Sequence, residues 1–368
     1  ELYSYHIIYD YYKLYGHKPE VLKVLKICAG VGGGFVLLFD AFIAMALFAK
    51  PKRELHGSAK FAVMHEVQKT GLILLPKEQE KKYSKSPSNP SVLVGKFKDK
   101  FLEFFGNEFV FVAAPTRSGK GVGIVIPNLL HYRDSCVVLD VKNENWDLTA
   151  GFRSKYQECY LFAPKAENNR RHRYNPLDYI DREPTKRMGD IQNISNIMYP
   201  TDSSQDGTTA YFNSQAQRLF AGLILYMLET NERPCTMAEL IKISSPNKPL
   251  DEWIVETIQQ RKNDENSLSV ECIQELMSYA GNSSENTRAG ILSSMTSPLN
   301  IFTDPMVAAA TSASDFRLDE VRKKRMSIYV GIQPNELPRF DKLLNLFFSQ
   351  LINLNTRVLP EQDRSLKY

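Results

Sequence analysis

Residues 109–123, FVFVAAPTRSGKGVG, constrain the fold more than any other stretch: an apolar run with strand character, a glycine- and hydroxyl-bearing turn, a lysine and the opening of a helix. In that order they make a phosphate cradle. Successive backbone N–H groups of such a turn, with the positive end of the helix macrodipole, surround an anion, and the lysine reaches its outer oxygens. Against the pattern G-x-x-x-x-G-K-[ST], Ala114 stands at the first glycine, and Gly121 stands where a hydroxyl would hold magnesium. Taken alone, the pattern leaves open a turn with no ligand. The context favours the cradle, because the apolar segment 122–130 leaves the turn with the length of a helix.

The apolar run 27–49 (ICAGVGGGFVLLFDAFIAMALFA) carries one charge in 23 residues. At about 1.5 Å per residue it spans a hydrocarbon core about 30 Å thick. A transmembrane helix is expected here, because a signal peptide has a shorter apolar run and a buried core helix is rarely apolar all round. Gly30 and Gly34, with Gly32 and Gly33 beside them, would let another helix backbone approach. Asp40 would cost about 2.5 to 3.5 kcal/mol in lipid, so it should face a helix bundle. Lysines flank the run on both sides and do not orient it; a nucleotide cradle does, placing residue 50 onward in the cytoplasm. Tyr3, Tyr5, Tyr9, Tyr11, Tyr12 and Tyr15 fit an interfacial aromatic belt or packing in a short helix.

With 368 residues, 43% hydrophobic and 24% charged, the chain has material for two domains with separate cores. A net charge of +4 does not announce a nucleic-acid binder. The clusters Arg170-Arg171-His172-Arg173 and Arg322-Lys323-Lys324-Arg325 read as solvated faces rather than binding sites. Cys28, Cys136, Cys159, Cys235 and Cys272 have neither zinc-ligand nor disulfide spacing and read as reduced, mostly buried thiols.

Strands are expected at 92–96, at 108–113 feeding the cradle, at 135–140 and at 326–332, with a polar surface loop over 77–91. Asp140, at the end of the third of these, invites a metal-binding role. It lies on the first strand after the cradle helix, whereas ATPase folds with an added central strand carry their acidic pair one strand later. A supporting role near the nucleotide and a simple turn role both stay open. From about 182 to 298 strand signals vanish and helical periodicity takes over, at 212–229, 250–260 and 268–279. This reads as an all-α domain inserted into an α/β domain, which resumes at 326–332 and the amphipathic helix 341–357.

The cradle and the segment Ile124-Val125-Ile126-Pro127-Asn128-Leu129-Leu130 resemble the coupling-protein ATPases of type IV secretion and conjugation. Three further stretches are similar to that family: Leu55-His56-Gly57-Ser58-Ala59-Lys60-Phe61-Ala62, Val138-Leu139-Asp140-Val141-Lys142-Asn143-Glu144 and Tyr174-Asn175-Pro176-Leu177. The resemblance implies an α/β, RecA-like P-loop nucleotide-binding domain in two parts, 54–182 and 299–368, around an all-α domain at 183–298, behind a membrane anchor at 1–53. It implies a hexameric ATPase of the bacterial inner membrane, its nucleotide-binding and all-α domains cytoplasmic. Such a protein receives relaxase-bound DNA, effector proteins or both, and works with other components of the secretion system. ATP and Mg²⁺ would be the cofactors. Thr116, Arg117, Ser118, Gly119, Lys120, Gly121 and Val122 would form the cradle, with Lys120 catalytic on the outer phosphates.

Members of this branch also have glycine at the position of Gly121. The family's acidic strand is expected beyond Tyr368, so the sequence reads as a truncated piece, inactive as it stands. A nucleotide-gated docking scaffold that hydrolyses little is the competing reading. Arg288 and Arg317 are candidates for a charge-donating arginine, with surface roles favoured for both.

Overall fold

The computed structural model describes residues 6–48, 60–73, 91–106, 109–166, 171–201, 206–262, 267–359 and 361–367. These fall into two compact units, Glu1–Val63 and Met64–Tyr368. The first unit holds helices α1 (His6–Tyr15) and α2 (Pro19–Phe48). Pro19 opens α2 with its backbone angle already helical and Glu20 complements the first-turn dipole. None of its thirty residues is buried, and among the described residues it is the one helix long and apolar enough to cross a membrane. A Cβ added at Gly30, Gly32, Gly33 or Gly34 would meet nothing within 4 Å, so this stripe has no partner within the described chain. Tyr9, Tyr11, Tyr12 and Tyr15 are exposed on α1. Tyr3, Tyr5 and residues 55–59 lie outside the described residues.

The second unit begins with a short helix, α3 (Met64–Lys69), followed by an antiparallel hairpin of β1 (Val92–Phe97) and β2 (Lys100–Phe104). A helical turn at Gly121–Val125 then runs into α4 (Ile126–His131). Next come β3 (Cys136–Asp140), α5 (Glu144–Arg153) and β4 (Glu158–Phe162). Helices α6 (Pro184–Met198), α7 (Gly207–Thr230), α8 (Met237–Ile243), α9 (Leu250–Arg261), α10 (Val270–Ala280), α11 (Glu285–Thr296) and α12 (Pro305–Ala310) follow. β5 (Met326–Gly331) and α13 (Leu337–Thr356) complete the set.

β5 lies between β3 and β4, parallel to both. All six of its residues are buried, as the central strand of a sheet covered on both faces requires. The chain thus leaves the sheet after β4, passes through seven α-helices among the described residues, and returns to fill the middle. Side-chain caps mark where those helices start: Asp206, Thr236, Ser269 and Ser284 each accept from the backbone N–H three residues on. The helices share one hydrophobic core with the sheet, in which Leu219 and Ile224 of α7, Phe162 of β4, Ile328 of β5 and Phe347 of α13 are all buried. Tyr174-Asn175-Pro176-Leu177 sits at this junction. The Tyr174 ring packs edge-on against Phe162 and Phe347, and Asn175 donates to the Asp178 carboxylate and the Cys235 carbonyl.

One expectation fails. Residues 109–113 do not form a strand: Phe109 and Phe111 are fully or nearly fully exposed, and no described segment pairs with them. High strand propensity makes a strand only where a neighbouring backbone closes the ladder.

A candidate nucleotide cradle at the start of the α4 helix

The turn after Pro115 is shaped by two residues in the left-handed region, Arg117 at φ 64 and Gly119 at φ 85. Glycine occupies that region without penalty; arginine there is strained. The turn therefore folds back on itself, the Ser118 N–H reaching the Pro115 carbonyl at 3.3 Å and the Gly123 N–H reaching Gly119 at 2.7 Å. Among the described residues nothing accepts from the backbone N–H groups of Arg117, Gly119 or Lys120. Donors left open at the mouth of a helix are what an anion requires.

The Lys120 ammonium lies back over the same turn, donating to the carbonyls of Ala114 at 2.5 Å and Pro115 at 2.8 Å. Those acceptors carry no formal charge and are given up readily to phosphate oxygens. Thr116, Arg117, Ser118, Gly121 and Val122 are exposed around it. The cradle residues named from the sequence thus lie along one turn. A nucleotide's phosphates fit this set of donors. For magnesium, Gly121 offers no hydroxyl, and among the described residues no group of three or more His, Cys, Asp and Glu side chains could hold a metal.

Asp140 is elsewhere engaged. It is 2% exposed, and its two carboxylate oxygens accept from the Trp146 backbone N–H at 2.8 Å and the Asn145 amide at 3.1 Å, so it caps α5. Beside it, at the carboxyl end of β5, a Cβ on Gly331 would fall 2.1 Å from Oδ1 of Asn143. A side chain there would displace the amide of Asn143, itself a left-handed residue.

Two residues that hold the cradle helix were not singled out as site residues from the sequence. Asn128 on α4 accepts from the Leu93 N–H at 2.7 Å and donates to the Leu93 carbonyl at 2.8 Å, standing in for a strand beside β1. A polar side chain inside an otherwise apolar helix was the available signal. Arg153, at the end of α5, is fully buried. It donates to the carbonyls of Leu129 and Tyr132 at 2.6 Å, to Asp134 at 2.8 Å, and to the Ser327 hydroxyl at 2.6 Å, tying the end of α4 to the sheet.

Described members of the two basic clusters lie at the surface and form partly exposed ion pairs there. Arg173 pairs with Asp315, Lys324 with Glu158 and Glu320, and Arg325 with Asp134. Arg288 pairs with Asp251 at 3.1 Å; Arg317 pairs with Asp319 and lies over the Tyr179 ring at 4.6 Å. Both are occupied within the chain. All five cysteines are free; burial pushes the thiols of Cys159 and Cys235 up to about 11, which keeps them protonated and unreactive at neutral pH.

The architecture is that of an α/β protein, with a glycine-bearing turn and a lysine at a helix start. Residues 60–368 match the model of the type IV secretory system conjugative DNA transfer family, and the chain belongs to that family. It is 31% identical over 361 residues to the conjugal transfer protein TraG of Escherichia coli, a match covering 93% of this chain and 56% of TraG. It is 30% identical over 318 residues to VirD4 of Rhizobium radiobacter, covering 84% of this chain and 43% of VirD4. The chain spans about half the length of the curated relatives it matches. An unbound structure of the bacterial conjugative coupling protein TrwB is 12% identical with a TM-score of 0.45, covering 67% of this chain and 50% of TrwB. TrwB has also been solved with ADP and Mg²⁺, at 10% identity and a TM-score of 0.37, covering 69% of this chain and 59% of TrwB.

Proposed function

We propose that the chain is the N-terminal and central part of a coupling-protein ATPase of the bacterial inner membrane, which passes relaxase-bound DNA, effector proteins or both to a type IV secretion channel. The observation that carries this reading is the turn at 116–122, where open backbone donors and the Lys120 ammonium converge at a helix start in a chain of the conjugative DNA transfer family. In this reading α2 is the anchor within 1–53, residues 54–182 and 299–368 are the two parts of a RecA-like nucleotide-binding domain, and 183–298 is an all-α module between them. The cytoplasmic units assemble as a homo-hexamer, as ring ATPases do. ATP arrives with its own magnesium, held chiefly by its phosphates. The N–H groups of Arg117, Gly119 and Lys120 bind the phosphate oxygens, and the Lys120 side chain leaves its carbonyl acceptors for the outermost ones.

A second reading, a nucleotide-gated docking scaffold with little hydrolysis, is favoured by Gly121 and by the engagement of both Asp140 oxygens in the α5 cap. Lys120→Ala tests the shared core of both. It should weaken ATP binding about ten- to hundredfold, the worth of a charge-assisted hydrogen bond, without moving the unfolding midpoint. Isothermal titration of the chain in nanodiscs reads the change, and unchanged affinity removes the cradle assignment. Turnover by the tight-binding parent would remove the scaffold reading.

A further inference from the structure

β1 and β2 are joined by a two-residue turn, Lys98-Asp99, with Lys98 in the left-handed region at φ 54. Hairpin turns of this length put glycine or asparagine where φ is positive, so a lysine there is held against its preference. The tip reads Lys96-Phe97-Lys98-Asp99-Lys100-Phe101. Register sets Lys96 opposite Phe101 and Phe97 opposite Lys100, so each face carries a cation beside an aromatic ring. Phe101 is 58% exposed, and the three lysines are exposed with it. Asp99 is the acid of the tip, 3.9 Å from Lys96 with both groups open to water.

The hairpin is pinned to the cradle helix. Asn128 holds both backbone groups of Leu93, and the Ser91 hydroxyl lies 2.8 Å from both the Glu103 carboxylate and Nε2 of His131, the last residue of α4. A nucleotide that shifts the turn at 116–122 therefore moves a helix to which the hairpin is bonded.

We propose that this hairpin is a contact for single-stranded nucleic acid, with a base stacked on Phe101 beside Lys96 on one face and the phosphodiester backbone crossing the turn at Lys98 to reach Lys100 on the other. One projecting ring flanked by cations is the arrangement by which proteins hold a single strand. A membrane-surface element would instead gather several apolar side chains on one face. The inference rests on the reading of the chain as one that handles DNA, and it gives that DNA a place linked to the nucleotide turn through Asn128.

The test is fluorescence anisotropy of a labelled oligothymidylate with the chain in phosphatidylcholine nanodiscs, across a range of salt. Replacing Lys96, Lys98 and Lys100 together by Gln should lower the slope of log affinity against log salt by about 2, from about 0.7 per lost phosphate contact. Phe101→Ala should weaken binding about five- to hundredfold at fixed salt. Lys98→Gly should weaken binding while holding or raising the thermal midpoint, because it relieves the turn; a binding loss there is not a folding loss. If the parent binds and every variant matches it, the hairpin proposal is wrong and the DNA-handling reading survives. A parent that binds no oligonucleotide at any salt overturns both. Variants that bind like the parent but lose a hydrogen-exchange protection of 92–104 seen only in phosphatidylserine nanodiscs would replace the nucleic acid with a lipid surface.

Discussion

Two short turn-rich segments of this chain, Tyr174-Asn175-Pro176-Leu177 and the cradle at 116–122, are treated in opposite ways by the fold. The first is buried, and its polar groups are bonded: the Tyr174 N–H to the Ala310 carbonyl, its hydroxyl to Gln350, Asn175 to Leu177, Asp178 and Cys235. The second is largely exposed, carries two left-handed residues, and leaves its backbone donors open beside a lysine that rests on neutral carbonyls. Folding completes the first segment. The second is open to water, and in the proposed reading the phosphates of a ligand would take the place of that water. A change in the completed region should therefore register as stability, and a change in the cradle as affinity.

The largest effect should come from Arg153, which belongs to the completed part although it touches the cradle helix. Arg153→Met strands the carbonyls of Leu129, Tyr132 and Asp134 in a buried space, and each orphaned acceptor costs about 1 to 3 kcal/mol. A total loss of about 3 to 5 kcal/mol is expected. Urea unfolding reads it, with the Trp146 signal as reporter, since that ring packs edge-on against Tyr329 on the central strand. A loss under about 1 kcal/mol would mean that water reaches these carbonyls and that the division between the two regions is misdrawn.

Sequence made much of this division visible, and its failures have physical causes. β3, β5 and the long helices were legible because their apolar periodicity depends on burial, which the residues themselves encode. β4 was missed: Glu158-Cys159-Tyr160-Leu161-Phe162 is short and opens on a charge. β2 was missed because Lys98-Asp99 lacks the glycine that marks a hairpin turn. Residues 109–113 erred the other way, having strand composition but no described neighbour to pair with. The cradle stood out as a local string, Ser118-Gly119-Lys120. Asn128 and Arg153 did not, because their roles are set by carbonyls that only the fold brings near.

A smaller effect, on the other side of the comparison, is expected at Gly119. With φ at 85 a Cβ is disfavoured whatever the space around it, at a cost of about 1 to 2 kcal/mol. Because the turn is exposed and bonded mainly to itself, it should relax into another conformation rather than unfold the domain. Gly119→Ala should thus lower ATP affinity about five- to thirtyfold, the same energy read as binding, with the urea midpoint unchanged. If the midpoint falls and affinity holds, the turn is part of the folded core and the comparison breaks at its clearest point.

The smallest effect tests the completed region by pH. Asp304 caps α12 through the Met306 N–H and pairs with Lys165, at the end of β4, and with Arg339 on α13, so it joins the helices to the sheet. The Lys165 ammonium, first among these partners, holds its carboxyl down to about 2 from the ordinary 3.8. A carboxyl with a lowered pKa in the folded state favours folding wherever it is ionised in both states. That stabilisation is complete above the ordinary value and disappears as pH falls from about 4 toward 2. Solvent screens the ion pairs, so the share due to Asp304 is about 1 kcal/mol. Asp304→Asn keeps much of the shape and removes the titration, so parent and variant should differ in stability at pH 6 and converge toward pH 2. A constant difference across that range would assign the role of Asp304 to its cap hydrogen bond alone, with the charges of Lys165 and Arg339 contributing nothing to the joint.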